Sequence, residues 1–88
     1  MLKEYIKEVR KYRGSFKDVQ DIEDVWLYGS INLVKFMASN KLIGFKTANT
    51  FTQLSHDKQD KLVAYMSEKR RPVRDIKLKF LGMLSEEM

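Results

Sequence analysis

The chain has 88 residues, a net charge of +5 and a sequence pI near 9.5. With 43% hydrophobic and 33% charged residues, the balance is that of a globular protein, and the length permits one small core and no second. The lack of cysteine excludes disulfide staples and thiolate metal sites, and the basic balance argues against a DNA-mimicking inhibitor while permitting attraction to nucleic acid, an anionic membrane or an acidic protein surface.

Charge is unevenly spread. Basic segments near each end, 1–13 and 71–80, flank an acidic patch of Asp18, Asp21, Glu23 and Asp24. No run without charge is longer than Val25 to Val34, which is far short of the roughly 18–20 apolar residues that span a bilayer. The N-terminal MLKEYIKEVRKYR is charged every few residues and has no apolar stretch of the signal-peptide type. These features predict a soluble, cytoplasmic protein with no membrane partner.

In chain order, Leu2, Tyr5, Ile6, Val9 and Tyr12 recur at helical spacing, with Lys3, Lys7, Arg10 and Lys11 on the opposite side. Gly14 supplies a stop, and Ser15 three residues before Asp18 resembles a capping box that starts a second helix. Along it Val19, Ile22, Trp26, Gly29, Leu33 and Phe36 keep a spacing of three and four straight through Gly29-Ser30. Either one helix bends near Gly29 or Ser30 caps a new one; the unbroken period favours a single bent element, although a helical glycine costs about 1 kcal/mol.

SNKLIGFK, Ser39 to Lys46, reads as a connection. Thr47 is placed to cap a short helix carrying Ala48, Phe51 and Leu54. Ser55 is a better cap, for a helix with Leu62, Val63 and Met66 on one face, and Leu54 is placed to staple it. Pro72 suits the first position of a last helix, lined by Val73, Ile76, Phe80, Met83 and Leu84. Ile76, Leu78 and Phe80 also alternate as in a strand, but the longer helical period extends to Leu84. The pattern predicts one all-α domain over residues 1–88, a compact unit of four or five short helices.

No nucleotide-binding, hydrolase, zinc-protease or calcium-loop motif occurs. His56, the only histidine, opens a helix without catalytic neighbours in the sequence. The acidic patch lies at a helix start, where carboxylates complement the dipole. The expectation is a non-enzymatic protein with no catalytic residues, no metal site and no cofactor. Phe45, between Lys41 and Lys46, is the one aromatic placed for base stacking, against the plainer reading of a hydrophobic anchor. Phe36 to Leu54 matches a helix-turn-helix poorly, since setting Gly44 in the turn puts Asn40 where a small residue belongs. Thr47, Asn49, Thr50 and Gln53 are the polar residues available to face base edges.

The stretch SEKRRPVRDIKLKF concentrates cations around the only proline. Arg71 and Arg74 stand at the positive end of the last helix, where cations are disfavoured, so a bound anion would compensate. Glu86 and Glu87 break the same rule at the other end, and Asp75 is spaced to neutralise Arg71. The leading reading is therefore a small basic protein that binds nucleic acid, or is accessory to such binding. Its phosphate contacts would be Arg70, Arg71, Arg74 and Lys77, extended by Lys3, Lys7, Arg10 and Lys11 if the first helix packs beside them. The alternative is a protein-interaction module, a small inhibitor, adaptor or assembly factor docking on a larger acidic protein or forming a homodimer. Its basis is the apolar surplus of Trp26, Leu27, Tyr28, Ile31, Leu33, Val34, Phe36 and Met37.

Overall fold

The computed structural model describes residues 2–13, 19–39, 42–68 and 71–87, with the side chains of residues 11–13 outside that description. Among the described residues the chain is all-α and forms six helices: α1 (Leu2–Arg13), α2 (Val19–Tyr28), α3 (Ile31–Ser39), α4 (Phe45–Phe51), α5 (His56–Glu68) and α6 (Val73–Glu87). The expected stop at Gly14, the capping box at Ser15–Asp18, Asn40, Lys41, Arg70 and the side chains of Lys11 and Tyr12 fall outside the described residues.

The helices bury one stripe each. Tyr5 and Val9 of α1, Ile22 and Val25 of α2, Leu33, Phe36 and Met37 of α3, and Ile76, Phe80 and Met83 of α6 all enter one continuous core. α1 packs on α3 and α2, α2 on α4, α3 on α5, and α5 on α6. The radius of gyration, 12.3 Å, matches the roughly 12 Å expected of a folded chain this long. Residues 76–80 are helical rather than extended, and no helix among the described residues is long and apolar enough to cross a membrane.

The helix count exceeds the expected four or five because the predicted bent element is two helices. α2 ends at Tyr28 and α3 begins at Ile31. Ser30, not a bend, explains the junction: its Oγ accepts the Leu33 N–H at 3.1 Å and its carbonyl accepts the Val34 N–H at 3.0 Å, which is N-cap geometry. Gly29 is required by crowding, since an added Cβ would clash with the Val25 carbonyl oxygen and press on Leu33 at 3.3 Å.

The backbone groups freed at this junction are satisfied from α5. Gln59 is 1% exposed; its Oε1 accepts the Ser30 N–H at 2.6 Å. Its Nε2 donates to the Leu54 carbonyl at 2.9 Å and the Tyr28 carbonyl at 3.3 Å. One buried amide thus closes both the α2–α3 and α4–α5 junctions, as a buried polar group must be paired to be tolerated. The His56 ring reaches the same Tyr28 carbonyl, with Nε2 3.2 Å away.

Two other expectations change. α4 starts at Phe45, capped by Gly44 backbone without a side-chain bond, so Thr47 lies inside the helix and is not its cap. Its carbonyl accepts the Thr50 hydroxyl at 2.6 Å. Ser55 does cap α5, its Oγ accepting the Lys58 N–H at 3.4 Å, and Leu54 beside it is buried. Pro72 stands one residue before α6, its carbonyl accepting the Asp75 N–H at 3.0 Å.

Candidate functional site

The predicted cationic residues divide between two separate parts of the surface. Lys3, Lys7 and Arg10 are exposed on α1, and Arg74 and Lys77 are exposed on α6. The condition for one continuous footprint, α1 packed beside α6, is not met, because α1 packs on α3 and α2 while α6 packs on α5. Arg70 and the Lys11 side chain fall outside the described residues.

Arg71 is engaged within the fold. Its Nε donates to the Tyr65 carbonyl at 3.3 Å, its Nη2 lies 3.7 Å from Glu68 Oε2, and its guanidinium sits 3.9 Å from the Tyr65 ring centroid. Three contacts with the last turn of α5 make it a C-terminal cap for that helix. The charge that looks misplaced at the start of α6 is well placed at the end of α5, and needs no bound anion to explain it.

The expected base-facing residues are mostly occupied as well. Phe45 is fully buried, 1% exposed, packed edge-on to Tyr5 at 6.5 Å between centroids, so it is a core anchor and not a stacking platform. Asn49 turns inward, its Nδ2 donating to Asp21 at 2.9 Å and Asp24 at 3.1 Å. Those carboxylates of the acidic patch therefore tie α2 to α4. Thr50 and Gln53 donate to carbonyls of their own segment.

What the fold does bring together is a groove between α4 and α6. It has a volume of about 490 Å³ and an apolar lining of the buried Phe51 and Phe80, the half-buried Leu84 and the exposed Leu81. Lys46 and Thr47, with Thr50 and Gln53 a turn on, form the α4 rim, and Lys77 stands on the α6 side. Phe51 and Phe80 meet at the base, ring centroids 5.0 Å apart. Leu81 is 56% exposed and Leu78, three residues earlier on α6, is 61% exposed. Both lie off the buried Ile76–Phe80–Met83 stripe, and that departure from the period is the signal by which the sequence alone marks them. Lys46 falls in the stretch that the sequence reads as a connection, Ser39 to Lys46, which overlaps the first two residues of α4.

A second apolar surface lies at the α2–α3 junction. The predicted surplus divides there: Leu33, Phe36 and Met37 are buried, while Leu27, Tyr28 and Ile31 are 62%, 60% and 73% exposed. The break restarts the helical phase, so three large side chains fall outside both buried stripes. Beside them Trp26, Gly29, Ile31, Val34 and Lys35 line a groove of about 370 Å³. Trp26 is half-buried, its ring 5.1 Å from that of Tyr5.

Among the described residues no cluster of His, Asp and Glu side chains is arranged to hold a metal ion. The fold and surface together define a small all-α protein with two exposed apolar surfaces, the α2–α3 one beside Lys35 and the α4–α6 one between Lys46 and Lys77. Comparison with known proteins finds no match among family models, curated proteins or solved structures.

Proposed function

We propose that this protein is a non-enzymatic interaction module that binds another protein through exposed apolar helix surface. The observation that carries this reading is the exposure of Leu27, Tyr28 and Ile31 at one corner and of Leu78 and Leu81 on α6. Isolated exposed leucines are ordinary, but contiguous apolar patches on a small protein mark contact surfaces. A second reading, nucleic-acid binding, draws on Lys46 and Lys77 at the α4–α6 groove, on the exposed Arg74 of α6 and on the +5 charge.

Fluorescence anisotropy with labelled duplex DNA, single-stranded DNA and RNA over a salt series separates the two. The interaction-module reading expects no specific, steeply salt-dependent binding to any of the three. Micromolar binding that weakens with salt and is lost in Arg74→Glu with Lys77→Glu would overturn it in favour of phosphate contact. In parallel, photocrosslinking in the native host is expected to trap a defined protein partner, lost when Leu27 and Ile31, or Leu81, are replaced by aspartate.

A further inference from the structure

We infer that the α4–α6 groove receives an amphipathic helix of a partner protein, aliphatic on its inward face and carrying carboxylates that meet Lys46 and Lys77. The inference rests on the interaction-module reading and names the partner's chemistry. The groove exists because α4 and α6 meet at the Phe51–Phe80 ring contact without packing along their lengths. The result is an exposed groove of about 490 Å³ between two helices, and an amphipathic helix lays its apolar stripe into an apolar groove of this kind.

The lining selects the occupant. Its apolar lining is aliphatic and aromatic, and among the described residues its only charged lining residues are the cations Lys46 on α4 and Lys77 on α6. An acidic flank on the incoming helix is therefore attracted, and a basic one repelled. A nucleic-acid strand is also anionic, but stacking needs an open ring face. Phe51 is fully buried and Phe80 is 7% exposed, so neither ring offers one. Thr50 and Gln53 each direct a donor to a backbone carbonyl, at 2.6 and 3.1 Å. Leu81, more than half exposed at the mouth, is the side chain an aliphatic stripe would cover, as anchors at the centre of an interface do.

The test is selection of helical peptides from a library randomised on one face of a stable scaffold, against the immobilised full chain. Enrichment of sequences with aliphatic residues at helical spacing flanked by Asp and Glu is expected. Their affinity should fall about tenfold or more in Lys46→Glu with Lys77→Glu, and likewise in Leu81→Glu. Both variants change exposed residues and should keep the helical circular dichroism of the parent. Enriched peptides that ignore both variants but are lost on Leu27→Asp with Ile31→Asp would overturn the groove assignment and leave the interaction module standing. Failure to enrich any peptide, together with salt-dependent nucleic-acid binding, would overturn both.

Discussion

Glu87 Oε1 accepts the backbone N–H of Ser55 at 2.8 Å, tying the last turn of α6 to the first turn of α5. The hydrogen bond holds the Glu87 carboxyl below its usual pKa range. Beside it, Lys58 in the first turn of α5 donates to the Met83 carbonyl at 3.3 Å and lies 3.7 Å from Glu86. At the other end of the pair, Arg71 caps the end of α5. The two antiparallel helices exchange caps: each supplies the charge that its neighbour's dipole needs. The charges that look reversed on α6 alone are correct for α5.

Arg71 and Arg74, which are alike in the sequence, should therefore behave differently. Arg71→Ala removes a hydrogen bond and a cation–π contact, and should lower stability by about 1–2 kcal/mol. For a domain this small each 1 kcal/mol is roughly 4–8 °C in Tm. Arg74→Ala, at an exposed side chain, should leave Tm nearly unchanged. Thermal melts followed by circular dichroism would show it; equal Tm values for the two variants would remove the cap from the account.

Gly29→Ala tests the break by the sign of its effect. In a continuous helix this substitution would stabilise by about 1 kcal/mol. At the observed junction the new methyl group meets the Val25 carbonyl, so the variant should be destabilised. Urea denaturation of the two proteins decides it, and a higher midpoint for the alanine variant would argue for one unbroken helix.

Gln59→Leu keeps the volume of the side chain and removes its bonds to Ser30, Tyr28 and Leu54. Buried backbone groups left without partners cost about 1–3 kcal/mol each, and partial relaxation should hold the total loss near 2–4 kcal/mol. Hydrogen exchange would localise it: the amide of Ser30 should lose protection ahead of the α6 core. Unchanged protection there would mean that the clamp contributes little.

Tyr5 presents the opposite case, a buried hydroxyl with no hydrogen-bond partner among the described residues. Its pKa is raised well above the usual tyrosine range by desolvation. Stability is therefore unaffected below about pH 10, the unfolded tyrosine value, and declines above it because only the unfolded chain ionises readily. Tyr5→Phe should be neutral or stabilising at pH 7 and should flatten the alkaline decline. Denaturant midpoints at neutral and alkaline pH give both quantities, and a clear loss at pH 7 would point to an unseen role for the hydroxyl.

An acid-side counterpart follows from Glu87. Its depressed pKa means that the bond to Ser55 is fully available above the ordinary carboxylate value of 4.5 and weakens as pH falls through the lower folded-state value. Glu87→Gln should remove that part of the acid dependence, read from midpoints measured across the acidic range.

Periodicity by itself determined the helical class and most of the buried faces of α1, α5 and α6, a property local to each segment, although Val73, placed on the α6 stripe, is exposed. The Ser55 cap followed from residue type, and the anchor reading of Phe45 from the general preference of aromatic side chains for burial. The α2–α3 break was not legible, because the apolar spacing continues through Gly29 while the decisive partner, Gln59, lies thirty residues further along the chain. The fate of Arg71 was hidden for the same reason. A charge can be judged against its own helix from sequence, but α5 and α6 correct each other only once they are packed antiparallel. The α4–α6 groove likewise exists only in three dimensions, where two helices touch at one pair of phenylalanine rings and bring Lys46 of α4 and Lys77 of α6 to the same apolar lining.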